Sequence, residues 1–425
     1  MSSAPDDSPR LRSVTREIDA IDDVLELADA GDPIVWSRRG DILVGTGGAA
    51  ATFRGSSTPD EVARWWQRIA DTAEIDDPVK VPGTGLVAFG ALPFDPRSAA
   101  DAVLTVPRLI VGRRGGRAWL TRITSAAADD GPADSATSQP TPHPYGPHWS
   151  ATLGPGALTP DGYQDAVRAG LDAIASGGVA KVVLARDLAG TVPAGADLRR
   201  LVRALASSYP DTWTYAIDGL IGASPETLVT VAGGTVTARV LAGTAARGAD
   251  ADADTAASVA LATSTKDLDE HQFAVQSVLR ALRPYTAALV SEEQPFMLKL
   301  PNVWHLATDV EGTLAGRASA LDLVSALHPT AAVAGTPTSA AIEIIARLEP
   351  FDRGRYAGPV GWIDADGDGE WAIALRCAQF HLAADAPSTI PLTAYAGAGI
   401  VAGSDPEAEM LETRVKFRPI IDALA

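Results

Sequence analysis

The chain has few of the residue types that mark secreted, metal-thiolate or nucleic-acid-binding proteins. It contains one cysteine, Cys377, so no intrachain disulfide and no paired cysteine metal site can form. Lys and Arg number 35 against 53 Asp and Glu, a net charge of −18. This charge argues against nucleic acid and anionic membrane surfaces as partners.

Membrane and secretion signals are also missing from the sequence. No run of about 18 consecutive apolar residues is present, so no membrane-spanning helix is predicted. The segment that starts at Met1 lacks the basic start and the apolar stretch of a secretion signal. The expected location is the cytoplasm.

The remaining composition is that of a globular protein, with 46% hydrophobic and 21% charged residues. Strands occur in pairs, with helices between groups of strands, which predicts an α+β fold of layered antiparallel sheets flanked by helices. Residues 1–15 are polar and predicted to be disordered. Residues 16–123 are expected to form an N-terminal α/β part of the fold. Residues 124–158, rich in Pro, Ala and Ser, are predicted to be a linker or surface loop before the region 159–425.

Two pairs of carboxylates, Asp267 with Glu270 and Glu409 with Glu412, have a spacing of three residues within predicted helices. Each pair would therefore share one helical face. Two such pairs that face each other could supply the oxygen ligands of Mg²⁺. Alternatively, each is a solvated face near a helix N-terminus, where negative charge is favoured. Spacing alone favours the second interpretation.

Three further side chains could take part in chemistry. Lys181 interrupts an apolar strand, and a half-buried lysine has its pKa lowered by desolvation and can act as a base. It could equally lie on the wet face of an edge strand. Glu226 follows a tight turn ahead of a strand. Arg376 lies in a predicted apolar strand, 372–378, where it could capture a carboxylate or form a structural ion pair.

Ten short segments occur in an order that is typical of one enzyme family. Their ranges are 181–186, 223–226, 241–244, 266–271, 302–306, 327–330, 349–354, 356–361, 374–376 and 397–407. Together they resemble the chorismate-binding family, which includes isochorismate, salicylate, anthranilate and aminodeoxychorismate synthases. The resemblance covers residues 155–425, and in the N-terminal third only 90–96 matches. It implies the anthranilate synthase component I-like fold.

The resemblance also assigns roles to individual residues. Lys181 would be the catalytic base and Glu226 the catalytic acid. Glu270 and Glu412 would bind Mg²⁺ directly, and Asp267 and Glu409 would support them. The expected substrate-binding residues are Thr244, His305, Ala332, Tyr356, Arg376, Gly397, Gly399 and Lys416.

Three positions indicate the branch of the family. Anthranilate synthases tend to carry Gln where this chain has Lys181, and aminodeoxychorismate synthases tend to carry a lysine where it has Ala242. The apolar pair Ala332 and Val333 resembles the isochorismate branch. The resemblance therefore implies a Mg²⁺-dependent isomerase that adds water at C2 of chorismate and removes the C4 hydroxyl.

Other functions stay open at this point. The first is a salicylate synthase, which would go on to eliminate pyruvate. The second is an aminating enzyme that needs a glutaminase partner, and the third is a non-catalytic relative that only binds a ligand. The preferred interpretation implies a monomer without a glutaminase subunit. Its product would enter menaquinone, catechol siderophore or salicylate biosynthesis, depending on neighbouring enzymes.

Overall fold

The computed structural model of the protein describes residues 9–56, 58–126, 140–299, 303–382 and 388–425. The α-helices in these ranges are α1 (Pro59–Thr72), α2 (Pro160–Ala175), α3 (Arg199–Ser208), α4 (Ala251–Thr263), α5 (Thr265–Leu282), α6 (Ala320–Leu327), α7 (Thr338–Leu348) and α8 (Pro406–Leu424). Short 3₁₀ helices occur at Val24–Leu27 and Arg283–Tyr285. None of the helices described combines the length and the apolar character needed to cross a membrane.

The strands form one continuous, almost entirely antiparallel sheet. In the first half of the chain they are β1 (Leu11–Glu17), β2 (Ile34–Arg38), β3 (Asp41–Gly55), β4 (Glu74–Asp76), β5 (Val87–Ala91), β6 (Ala102–Arg114), β7 (Arg117–Ser125), β8 (Gly154–Pro155), β9 (Lys181–Pro193) and β10 (Trp213–Ile217). They continue as β11 (Leu220–Ser224), β12 (Thr227–Ala232), β13 (Thr235–Ala246), β14 (Thr286–Ser291), β15 (Phe296–Lys299), β16 (Val303–Leu314), β17 (Gly335–Thr336), β18 (Pro359–Asp364), β19 (Gly369–Ile373), β20 (Cys377–Phe380) and β21 (Thr389–Ile400). The predicted α+β class with antiparallel sheets is confirmed.

Strand β6 pairs with β7, which continues to β1 and β4, and two longer arms of strands also extend from β6. One arm runs β3–β2–β10–β11–β20–β21–β9. The other runs β5–β18–β19–β12–β13–β16. Because β2, β3, β5 and β6 all belong to the N-terminal third, that third builds the middle of the sheet from which both arms extend.

The N-terminal boundary differs from the predicted one. Residues 11–15, predicted to be disordered, belong to β1, which pairs with β7 along its whole length. The reason is that Leu11, Ser13 and Thr15 are buried and alternate with the exposed Arg12 and Arg16 and the half-buried Val14. This period-two burial is hidden in the sequence because two of the three inward residues are polar. Residues 1–8 lie outside the described residues.

The helices that carry the candidate metal ligands begin where local capping signals place them. Ser264 precedes α5 and its side chain accepts a hydrogen bond from the backbone N–H of Asp267, at 3.3 Å. Asp405 precedes α8, with Pro406 in the first turn, and accepts from Ala408 N–H at 2.9 Å. These caps satisfy free N–H groups at the helix start. The predicted helices near 265–283 and 405–424 are therefore confirmed.

Part of the predicted linker is packed against the body of the protein. Within 124–158, residues 127–139 lie outside the described residues. Tyr145 and Trp149 pack on a buried hydrophobic cluster that includes Leu201, Val202 and Leu205 of α3. The buried Arg199 donates to the carbonyls of His143 at 3.1 Å and Pro144 at 3.2 Å, and it pairs with Asp197. The segment 143–149 is thus a surface excursion tied down by one buried cation.

We expect Asp197→Ala to destabilise the protein by about 3–5 kcal/mol, because it leaves the Arg199 guanidinium buried without its counter-charge. The side chains of this pair are only 2% and 3% exposed. Urea denaturation followed by circular dichroism measures the effect. In the control Asp211→Ala, which breaks the exposed pair with Arg39, the loss should stay below about 1 kcal/mol. Equal losses in the two variants would show that the buried pair has no special role.

Candidate active site

A cavity of about 200 Å³ lies where the outer ends of the two arms meet. Strands β9 and β21 supply one wall, β13 and β16 supply another, and the N-terminal halves of α5 and α8 close it. All the site residues predicted from the sequence line this one cavity: Lys181, Glu226, Thr244, Asp267, Glu270, His305, Ala332, Tyr356, Arg376, Gly397, Gly399, Glu409, Glu412 and Lys416. Residues up to 235 positions apart in the chain thus meet at one place, as Lys181 and Lys416 show.

The two acidic pairs face this cavity rather than bulk solvent. In the described structure Glu270 and Glu412 each have a lysine as counter-ion. Lys181 Nζ lies 2.6 Å from a Glu270 carboxylate oxygen, and Lys416 Nζ lies 2.6 Å from one of Glu412. No group of three or more His, Cys, Asp or Glu side chains close enough to hold a metal occurs in the described ranges. A divalent cation at Glu270 and Glu412 would have to displace these two ammonium groups and take its other ligands from the substrate and water.

Lys181 is buried at the start of β9, with its side chain 11% exposed. Its ammonium crosses the face of β21 at Gly399. A Cβ built at Gly399 would lie 2.9 Å from Lys181 Cε and 3.4 Å from Nζ. The bare glycine is therefore what lets the lysine reach Glu270.

Glu226 is buried at the turn between β11 and β12. Burial raises the pKa of its carboxyl group to about 7, although the charges of Lys181, Arg376 and Lys416 oppose the rise. Its backbone N–H donates to Ser224 Oγ at 3.2 Å, which fixes the turn. A carboxyl group with this pKa is a suitable proton donor near neutral pH.

The position of Arg376 differs from the predicted one, which was the interior of a single strand. The apolar stretch 372–378 is not one strand, because it breaks between β19 and β20, and Arg376 has the left-handed φ of 50°. The break turns its side chain into the cavity. Among the described residues no carboxylate forms an ion pair with its guanidinium, so the structural ion pair that the sequence left open is absent there. A buried arginine without a protein carboxylate is suited to a carboxylate of a ligand.

His305 and Thr244 are cross-strand partners on β16 and β13. Thr244 Oγ1 lies 2.9 Å from His305 Nδ1, whereas His305 Nε2 is buried without a partner in the described structure. Burial first, and then the charges of Arg376 and Lys416, lower the pKa of His305 to about 3, so the ring is neutral. If the Thr244 hydroxyl donates to Nδ1, the unpartnered Nε2 carries a hydrogen that can be donated to a ligand oxygen.

A bulge next to this pair shapes the cavity wall. The register of β13 and β16 shifts between Leu241 and Thr244, and Gly243 there has a φ of 82°. At the bulge, Nδ1 of His271 in α5 forms a hydrogen bond with the Ala242 carbonyl oxygen, at 3.1 Å. Bulges of this kind re-aim side chains beside active sites, and this one brings α5 against the strand end.

The remaining predicted residues surround the side of the cavity formed by β21. Tyr356 stacks on Tyr395 with ring centres 5.1 Å apart. Lys416 Nζ also donates to the Gly397 carbonyl at 2.8 Å. At Gly397 a Cβ would lie 2.8 Å from the Leu184 carbonyl oxygen, so only glycine allows this close strand packing.

Two basic residues that line the cavity, Arg353 and Lys266, were not among the predicted site residues. Arg353 lies in one of the ten matching segments, and its isolated position between Asp352 and Gly354 was the available signal. Lys266 immediately precedes the first acidic pair. Asn302, which begins another matching segment, lies outside the described residues.

The fold and the cavity define a class of enzyme whose site is a cavity rich in charged side chains between the ends of one large antiparallel sheet. Comparison with known proteins specifies that class. The family model described as chorismate binding enzyme matches residues 2–425, so the chain belongs to the chorismate-binding enzyme family. This confirms the resemblance carried by the ten segments.

Three relatives illustrate the similarity. Isochorismate synthase DhbC of Bacillus subtilis is 42% identical over 277 residues, 62% of this chain and 68% of the relative. The MenF protein of Mycobacterium tuberculosis is 40% identical over 358 residues, 80% of this chain and 87% of the relative. The solved structure of MenF, the menaquinone-specific isochorismate synthase of Escherichia coli, has a TM-score of 0.77 at 26% identity. That alignment covers 97% of this chain and 95% of the other.

We expect Gly399→Ala to lower kcat/KM by on the order of 10²-fold, because its methyl group would displace the Lys181 side chain from its present position. The fold should be retained, since the clash involves the flexible end of a side chain rather than backbone. Steady-state kinetics and thermal denaturation measure the two effects. Gly195→Ala is the control, because a Cβ there has no atom within 4 Å. Unchanged kinetics in Gly399→Ala would contradict the importance of this lysine position.

Proposed function

We propose that the protein is an isochorismate synthase, an isomerase that converts chorismate to isochorismate. One observation carries the proposal: a base candidate, an acid candidate and an unpaired arginine line the same cavity. In the reaction a water oxygen bonds to C2, the ring double bonds shift, and the C4 hydroxyl leaves as water. Lys181 takes a proton from the attacking water, and Glu226 donates one to the leaving hydroxyl.

Binding of a dianion requires a local reversal of the protein's negative charge. The cavity is lined by five basic residues, Lys181, Lys266, Arg353, Arg376 and Lys416, and by five acidic ones, Glu226, Asp267, Glu270, Glu409 and Glu412. The charge of Arg353 is already neutralised by its buried pair with Glu349. With Glu226 protonated, the local balance no longer repels an anion. Arg376, with Tyr356 and Lys416, binds the pyruvyl carboxylate, and the backbone N–H groups of Gly397 to Gly399 assist. The neutral His305 donates to a further substrate oxygen.

Glu270 and Glu412 would hold a Mg²⁺ ion, supported by Asp267 and Glu409. The ion would supply positive charge for the ring carboxylate of chorismate. Lys181 can accept a proton only when it is not engaged as an ammonium partner of Glu270. Recruitment of Glu270 to a cation is therefore consistent with the role of Lys181 as base.

The proposal extends to the protein's surroundings. Water as the nucleophile requires no ammonia source, so the chain acts without a glutaminase subunit. The proposal also includes that it acts as a monomer and in the cytoplasm. Its product supplies menaquinone, catechol siderophore or salicylate formation. The apolar Ala332 and Val333 offer no polar group that would hold the enolpyruvyl chain for elimination, which favours release of isochorismate over salicylate.

The purified chain alone should convert chorismate to a mixture of chorismate and isochorismate, because the reaction is an isomerisation that need not go to completion. Proton NMR identifies both compounds. A lactate dehydrogenase-coupled assay should detect almost no pyruvate near neutral pH. Stoichiometric pyruvate with salicylate fluorescence would establish a salicylate synthase instead. Turnover only with an added amidotransferase subunit and ammonia transfer would establish an aminating enzyme.

Replacing Glu226 by Gln should lower kcat by on the order of 10²–10⁴-fold, because the amide cannot donate the proton to the leaving hydroxyl. In the wild-type enzyme the donating form is present below the Glu226 pKa of about 7 and is lost as the pH rises through it. The kcat/KM profile should therefore fall above about pH 7 in the wild type and lack this limb in the variant. The same alkaline limb in both proteins would remove Glu226 from the role of acid.

Removal of divalent cations with EDTA should abolish turnover, and Mg²⁺ should restore it. Glu412→Ala should prevent both turnover and Mg²⁺ binding measured by calorimetry, because it removes one of two direct carboxylate ligands. Circular dichroism should show an intact fold. The matched control is Glu407→Ala, which removes an exposed glutamate from the first turn of the same helix, α8. Full activity of the EDTA-treated protein would refute the metal requirement.

A further inference from the structure

A second cavity of about 230 Å³, here called the rear cavity, adjoins the active-site cavity. Glu226 and Ala332 line both cavities. Along α5 the lining passes from Glu270 in the active site to Ala274, Val278 and Ala281 in the rear cavity. These positions share one helical face, so the two cavities follow each other along the helix.

Strand β13 shows the same succession. Residues 241–244 line the active site, and residues 238–240 line the rear cavity. The far end of the rear cavity is bounded by the half-buried Ser277 and Ala281 and by Arg239, whose side chain is 24% exposed. The rear cavity therefore leads from Glu226 toward the protein surface, away from the carboxylate pairs.

The rear cavity is not purely apolar. Thr330 lines it with a hydroxyl oxygen that is buried and has no partner in the described structure. The Glu226 carboxyl oxygens also have no hydrogen-bond donor among the described residues. A cavity of this volume with such polar groups has room for several water molecules, since one water needs on the order of 10–15 Å³ of this kind of space.

The chemistry of the proposed function requires two positions for water. One water molecule adds at C2 and another forms at C4, so neither can use the space that the substrate itself occupies. The leaving water forms beside Glu226, which donates its proton. Glu226 is also the residue through which the active site meets the rear cavity.

We propose that the rear cavity is the path by which the water formed at C4 leaves the active site, and by which water returns to C4 in the reverse reaction. This inference depends on the proposed function. The C4–O bond breaks, the oxygen takes the Glu226 proton, and the resulting water moves into the rear cavity past Ala332. Thr330 provides a hydrogen-bonding position there.

Isotope exchange tests the path. An equilibrated mixture of chorismate and isochorismate is diluted into H₂¹⁸O with Mg²⁺ and enzyme, and the separated isomers are analysed by mass spectrometry. The measured quantity is the ratio of ¹⁸O entering C4 of chorismate to ¹⁸O entering C2 of isochorismate. A water held at C4 returns its original oxygen in the reverse step, so a blocked path lowers this ratio even when turnover continues.

Ser277→Leu and Ala281→Leu each place a larger side chain in the outer part of the rear cavity and touch no catalytic residue. We expect the ratio to fall at least threefold in these variants. Gln276→Leu, on the exposed side of the same helix, is the matched control and should keep the wild-type ratio. A merely structural disturbance would lower both exchange rates together and leave the ratio unchanged.

An unchanged ratio in either folded, active leucine variant would overturn the inference. The half-buried Ala281 gives a second variant should Ser277→Leu fail to fold. If the wild-type enzyme forms isochorismate and the leucine variants keep its exchange ratio, only the water path is refuted. A wild-type enzyme that forms no isochorismate would refute the proposed function, and the path with it.

Discussion

The buried ion pair of Glu349 and Arg353 holds together the parts of the molecule that form the active site. Their side chains are 1% and 3% exposed. The guanidinium bonds both carboxylate oxygens of Glu349 and the carbonyls of Val183 and Val333, while Glu349 also accepts from Ala185 N–H. Desolvation of two charges is costly, and only such complete hydrogen bonding makes it tolerable. The pair thereby fixes β9, which carries Lys181, against the loop that carries Ala332.

The same pair connects the active site with the N-terminal third of the chain. The Arg353 guanidinium lies 4.4 Å from the ring centre of Phe94, and the Phe94 carbonyl accepts a hydrogen bond from His328 at 2.9 Å. Phe94 belongs to 90–96, the one N-terminal segment where a resemblance was noted from the sequence, whereas the family model matches residues 2–425. The resemblance of that segment is explained by packing: the segment supports the back of the catalytic region and does not line the active-site cavity.

Much of the site could be predicted from the sequence because its residues lie in short segments with fixed local geometry. The acidic pairs are an example, since a spacing of three residues within a helix places both members on one face. Their mutual approach across α5 and α8, however, depends on contacts between distant parts of the chain, which no local pattern reports. Arg376 was misplaced for a related reason. A run of apolar residues is identical in sequence whether it forms one strand or two strands separated by a left-handed residue. The polar inward residues Ser13 and Thr15 concealed β1 in the same way.

The branching of the sheet at β6 has a consequence for how the chain reaches its native state. One neighbour of β2 is β10, where Tyr215 lies opposite Trp36. One neighbour of β5 is β18, where Trp362 lies opposite Phe89. Both neighbours come much later in the chain. During synthesis these early strands would emerge with unpaired edges and would wait for most of the chain. Pairing over such sequence separations is slow and exposes edges that can associate with other chains. We therefore expect the first third of this protein to be the part most prone to wrong association during synthesis, although no residue that lines the active-site cavity belongs to it.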